Sequence, residues 1–228
     1  VGYETRIEAG IHSFRNHALC RRADRGGEEN RDIARAPHRP LSPALERRLS
    51  GKTLLFPNWD RLTIPLIVAN LRSAGVDARV LEEDELSIQA GARMNTGQCL
   101  PVNAITQGAV NYIRKYDLDP AGTVVWMTDS VWSCSFHLFP HFIKTLLEDY
   151  GGGMEKTGVY VGDFSFSEFS PFLGVGAYFA YLFGGLLRRL GCRIRPYETN
   201  PGETDRITAR ALRIFEESLL GGVRRRMR

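Results

Sequence analysis

From Lys52 onward the chain alternates short apolar runs with longer amphipathic stretches. Thr53 to Phe56 is a short apolar run and reads as a buried strand. Leu62 to Ala74 follows, with Leu66, Ala69, Asn70 and Ala74 at near-helical spacing, and Gly75 stops it. Ala78 to Leu81 reads as a second strand. Val102 to Lys115 reads as a helix with Ile105, Ala109, Val110 and Ile113 as its apolar positions. Thr123 to Met127 is a run of β-branched and aromatic residues and reads as a strand. Phe139 to Tyr150 is the next helix, ended by Gly151, Gly152 and Gly153. Gly158 to Val161 is the fourth strand. Phe172 to Leu190 is a long apolar helix ended by Gly191, and Cys192 to Arg195 reads as a short edge strand. Thr204 to Leu219 closes the pattern, entered through Glu203 and left at Gly221.

Strands separated by helices of this length predict βαβ units and an α/β fold. The expected sheet is mostly parallel, of about four or five strands, with helices on both faces. Its crossovers are right-handed, and functional groups gather at the carboxyl ends of its strands. No internal repeat or low-complexity segment interrupts the pattern. Residues 1–50 differ: they are Arg-rich, broken by Gly26, Gly27, Pro37, Pro40 and Pro43, and hold few periodic apolar positions. They read as an irregular arm or linker, with a short helix near Ala44 to Leu49. The α/β domain then spans 51–221, and 222–228 is a basic tail.

The hydrophobic fraction of 43% in 228 residues is enough for a core of useful size. The net charge of +4 excludes a polyanion-binding body on charge alone. Arginines crowd the two ends, but Asp24, Glu28, Glu29 and Asp32 dilute the first cluster, so solvated tails are expected and nucleic-acid binding is not. The cysteines are Cys20, Cys99, Cys134 and Cys192, with no CxxC pair. That usage suits a reducing compartment and metal or catalytic roles better than a disulfide framework. The apolar stretch from Phe172 to Leu187 is shorter than the roughly 20 residues that span a bilayer, and it reads as a buried helix rather than a membrane span.

Two segments concentrate the chemistry. Asn95-Thr96-Gly97-Gln98-Cys99-Leu100-Pro101 follows a polar loop and opens a helix, with Pro101 in the first turn, where its missing N–H costs little. Cys99 then stands at a helix N-terminus, a place that suits a thiolate metal ligand. A buried structural cysteine is the alternative. The segment Asp129 to His137 follows the strand that ends at Met127, so Cys134 lies near the carboxyl end of a strand and before a helix. Cys99 and Cys134 thus hold equivalent βα places and are expected to converge, giving two ligands where a cluster generally takes four. Cys20 and Cys192 stay open as further ligands, with Cys192 read as core. His137 and His141 have a spacing that can bind zinc. Pro140 between them argues against a regular helix at His137, so capping or surface roles are expected. No P-loop, GxSxG or strand-following GxGxxG is present. Asp163, Glu168, Glu198 and Asp205 have no visible partner, so no acid–base pair is nominated.

Asn95 to Pro101, the Cys134 loop, and Arg195-Pro196-Tyr197-Glu198 followed by Asn200-Pro201-Gly202-Glu203-Thr204-Asp205-Arg206 occur in this order. In this the chain resembles the C-terminal part of the large CoA-substrate-specific enzyme activase proteins. These are related to 2-hydroxyglutaryl-CoA dehydratase, benzoyl-CoA reductase and the double-cubane-cluster proteins. The resemblance covers the stretch from Leu41 to Gly221. It implies a flavodoxin-like domain whose loop-end cysteines hold an iron–sulfur cluster, 4Fe-4S being one type, in an anaerobic, cytoplasmic system. There an actin-like ATPase drives low-potential electrons into a cluster-bearing partner. Cys99 matches the Cys-x-Pro position, and Cys134 matches the cysteine of the later strand-end loop. Many relatives read Gly-Pro-Cys-Arg-Phe-Gly in that loop, whereas Trp132-Ser133-Cys134-Ser135-Phe136-His137 lacks the Arg and the Gly.

The ATPase signature is absent, so the resemblance implies a fragment or a split subunit. The remaining ligands would come from an ATPase activator domain or subunit, from a further cysteine-bearing domain, or from a second copy in a homodimer. Two other classes stay in view. One is a non-catalytic α/β scaffold or interaction domain with reduced structural cysteines. The other is a nucleic-acid accessory using the arginine-rich ends.

Overall fold

The computed structural model describes residues 51–220 apart from 83, 95 and 129–133. The arm over 1–50, with Cys20 and the helix expected near Ala44 to Leu49, and the basic tail lie outside the described residues. Within them the fold is α/β. The strands β1 (Thr53–Phe56), β2 (Asp77–Val80), β3 (Thr123–Thr128) and β4 (Gly158–Gly162) form a sheet of order β2-β1-β3-β4, with β1–β2 and β3–β4 paired parallel. This is a flavodoxin-like order. Every residue of β1 and β3 is buried, so side chains that alternate between the two faces of a strand are covered on both. The helices are α1 (Ile64–Ser73), α2 (Glu85–Arg93), α3 (Leu100–Lys115), α4 (Phe139–Tyr150), α5 (Pro171–Ile194) and α6 (Glu203–Leu220). Two compact units divide the chain. One is Leu81–Gly162, with β3 and β4. The other joins the segment up to Val80 to the segment from Asp163 on, with β1 and β2.

In the β1–β2 unit the register runs from Thr53 opposite Asp77 to Phe56 opposite Val80. The Thr53 hydroxyl donates to the Asp77 carboxylate at 2.8 Å. In the turn before α1, Asp60 accepts from the Leu62 amide at 3.0 Å and the Thr63 hydroxyl at 2.8 Å. α1 packs on a face of α5 where Leu173, Gly176, Ala177, Ala180, Gly184 and Leu187 are buried at three- and four-residue spacing. Small residues there are obligatory. The buried Asn70 amide donates to the Leu173 carbonyl at 2.8 Å, and a Cβ at Gly176 would collide with that amide. A Cβ at Gly184 would collide with the Thr63 hydroxyl.

The helix does not stop at Gly191 and the edge strand from Cys192 does not exist, because α5 continues to Ile194. A glycine ends a helix by entering the left-handed region. Gly191 is not among the glycines with positive φ; it is buried, and a Cβ there would lie 3.7 Å from the Thr208 hydroxyl of α6. Cys192, expected in the core, is exposed. The carboxylates without visible partners also acquire structural roles. Glu198 accepts from the Gly202 and Thr204 amides at 3.1 and 2.8 Å, and these hydrogen bonds, Thr204 foremost, hold its carboxyl below the usual range. Asp205 pairs with Arg195. Glu168 accepts from the Asp163 amide, and Asp163 from the Ser165 hydroxyl at 2.8 Å.

In the β3–β4 unit the register runs from Val124 opposite Gly158 to Thr128 opposite Gly162. α4 has the expected bounds. It turns its buried residues Phe139, Pro140, Ile143 and Leu147 inward and ends where Gly151 to Gly153 take positive φ. α2 has no counterpart in the periodicity, because it buries only Ser87 and Gly91. Its start is set by Asp84, whose carboxylate accepts from the Ser87 amide at 2.7 Å. Its contact with α3 is backbone against backbone: a Cβ at Gly91 would lie 2.8 Å from the Ala104 nitrogen.

Candidate functional site

Cys99 is the N-cap residue of α3, and its carbonyl accepts from the Val102 amide at 3.2 Å. The preceding loop is tied to that helix. The Thr96 hydroxyl donates to the Asn103 side chain at 2.8 Å and accepts from the Gln98 amide at 3.3 Å. Cys134 caps a short helical turn over Ser135–Leu138 that feeds α4, and its carbonyl accepts from the His137 amide at 3.2 Å. The two turns meet: the Cys99 Sγ lies 3.2 Å from the Ser135 Oγ, within a hydrogen bond. The β3–β4 unit therefore brings Cys99 against the residue that follows Cys134.

Both cysteines are exposed, which removes the buried structural alternative for Cys99. The route to Cys99 also differs from the expected one. α3 is entered from α2 rather than from a strand, so the two cysteines share a helix-start position but not an equivalent βα junction. Ser135 is the site residue that sequence reasoning passed over. Its only signal was its place beside Cys134.

His137 sits exposed in the turn before α4, and His141 lies half-buried inside the helix. Among the described residues no three His, Cys, Asp or Glu side chains form a group that could hold a metal ion. This surface offers one thiol within hydrogen-bond distance of a hydroxyl, with a second exposed cysteine one residue before that hydroxyl in the chain, and thiols are soft donors for iron or zinc.

A concavity lies in the β1–β2 unit, a groove of about 860 Å³ beside the segment that leaves the carboxyl end of β1. Trp59, Leu187, Cys192 and Leu212 line it. Two of its arginines are already engaged, Arg188 with Asp60 and Arg195 with Asp205. Burial pushes the Asp60 carboxyl up, but hydrogen bonds from Leu62, Arg188 and Thr63 outweigh it and hold the group below its ordinary value. An anionic ligand at those two arginines would have to compete with carboxylates already in place.

Among the described residues no helix is long and apolar enough to cross a membrane. The chain matches no protein-family model. No curated protein and no solved structure matches it either.

Proposed function

We propose that this chain supplies two thiolate ligands, Cys99 and Cys134, to an iron–sulfur cluster in a system like the 2-hydroxyacyl-CoA dehydratases and their activases. The 3.2 Å approach of Cys99 to Ser135 carries the reading, because it brings the Cys99 sulfur beside the loop that bears Cys134. Exposure of both thiols supports it, since a cluster shared with another chain or domain needs its ligands at a surface. Two ligands leave about two positions to fill if the cluster takes the usual four. An ATPase activator and a further cysteine-bearing domain or subunit are the partners in this reading, and the reducing cytoplasm is its compartment. The cluster would supply low-potential electron transfer. The chain's own residues hold it and, through Ser135, hydrogen-bond one ligand sulfur.

The test is iron and sulfide content after anaerobic reconstitution with the partner. Cys99→Ser and Cys134→Ser should each abolish cluster binding, while Cys20→Ser and Cys192→Ser leave it largely intact. Full iron content in both of the first two variants would replace this reading with the scaffold one.

A further inference from the structure

α5 carries two apolar faces. The inner one packs on α1 and α6. On the opposite side Phe172, Val175, Phe179, Leu182, Leu186 and Leu190 recur three or four residues apart, the spacing of one helix face, with Tyr178 alongside. All are between 39% and 75% exposed. From Pro171 to Leu187 the helix has no charged residue. At about 150–250 Å² for an aromatic side chain, with less for Leu and Val, these exposures leave roughly 700 Å² of apolar surface open, more than the roughly 300–600 Å² of the largest patch on a typical monomer. That is close to the about 800 Å² each partner contributes to a stable pair.

We propose that this face is a homodimer interface in which α5 packs antiparallel against α5 of a second copy, about a twofold axis near Leu182. A twofold contact needs a patch that can meet itself, and a charge-free apolar stripe can. The ends of the stripe favour the antiparallel sense. Arg189 and Arg193 continue the same face at its C-terminal end, while Asp163 and Glu168 precede its N-terminus. Antiparallel pairing sets the acidic lead-in of one copy beside the basic end of the other, whereas parallel pairing sets like beside like. Gly185, on the exposed side near the midpoint, has nothing within 4 Å of the place a Cβ would take, so a partner helix can approach closely there. The acidic end also disfavours an anionic lipid surface as the occupant.

The experiment is sedimentation equilibrium on the full chain, with thermal unfolding as the control for folding. The parent should be dimeric with a micromolar Kd. Leu182→Arg puts two guanidiniums at the axis and should weaken the dimer roughly tenfold or more, the equivalent of at least about 1.4 kcal/mol, with the monomer fold retained because the position is half exposed. Leu186→Gln, milder, should weaken it less and serves if the first variant unfolds. Arg193→Glu, which sets an acid beside the acidic lead-in of the second copy, should also weaken the dimer, whereas indiscriminate stickiness would be indifferent to the sign of that charge. The proposal is overturned if the parent stays monomeric at every concentration. It is equally overturned if Leu182→Arg folds and associates like the parent, if Arg193→Glu leaves association unchanged, or if a monomeric chain instead sediments with phosphatidylserine vesicles.

Discussion

The Ser135 hydroxyl oxygen lies 3.2 Å from the Cys99 sulfur, joining residues 36 positions apart at the starts of two helical segments. Each segment places a cysteine at its cap, and the hydroxyl ties one cap to the other. Where Cys99 carries negative charge the hydroxyl must be the donor, since a thiolate can only accept.

In the iron–sulfur complex proposed above, Ser135→Ala is expected to keep the iron and to lower the cluster's reduction potential. A donor to a ligand sulfur favours the more negative, reduced state, and its loss favours the oxidised one. A redox titration of parent and variant reads the shift. An unmoved potential at full iron content would make the contact incidental to the cluster.

Gly91→Ala touches neither cysteine but drives a methyl into the backbone of α3 at Ala104, which cannot rotate away. We expect a loss of about 1–3 kcal/mol, as for overpacking generally, measured by denaturant unfolding. Reduced iron content should accompany it, because α2 leads into the loop that positions Cys99. A fully stable variant would mean that α2 rides freely on α3.

Two glycines of α5 should respond in opposite ways to the same change. Gly176→Ala collides with the Asn70 amide and disturbs its buried bond to Leu173, so a loss of about 1–3 kcal/mol is expected. In the monomer, at concentrations below the dimer Kd, Gly185→Ala meets open space and should be neutral or stabilising by up to about 1 kcal/mol, the gain in helix propensity. Thermal unfolding of the two variants side by side checks the contrast.

Asp60→Ala removes the carboxylate that accepts from the Leu62 amide and the Thr63 hydroxyl in the turn before α1 and pairs with Arg188, and should cost about 1 kcal/mol at neutral pH. The Asp60 carboxyl is held below its ordinary value of 3.8 in the folded chain. A depressed acid contributes stability above its unfolded pKa and loses it as pH falls through the folded one. The gap between parent and variant should therefore narrow as pH drops below about 4. Denaturant midpoints across that range measure it, and a gap that stayed constant would show that the charge on Asp60 is irrelevant to that turn.

Much of the fold was legible because the relevant residues are apolar and periodic. Thr53–Phe56 and Phe139–Tyr150 have the bounds the pattern predicts, and the other strands differ by a residue or so. α2 escaped notice because Ser87 and Gly91, its buried positions, carry no hydrophobic signal. Gly191 was misread because a buried glycine that keeps helical φ looks in sequence like one that turns the chain, and the error turned the last residues of α5 into a strand. The convergence of Cys99 with Cys134 was expected from equivalent βα junctions, and Cys99 does not stand at one, because α3 is entered from α2. The contact of Cys99 with Ser135 was not legible either, since a serine beside a cysteine has no spacing that marks it. The groove beside Trp59 draws on segments far apart in the chain, so no local pattern announced it.

The two sides of α5 place different demands on a changing sequence. Positions 176 and 184 are limited by volume, because any added carbon meets Asn70 or Thr63. Positions 175, 179, 182 and 186 face outward, and the pairing with a second copy proposed above asks mainly that they stay apolar. As related chains diverge, the inner positions should remain frozen at the smallest residues, while the outer ones drift among Leu, Ile, Met and Phe. One helix would then record two rates of substitution along its length.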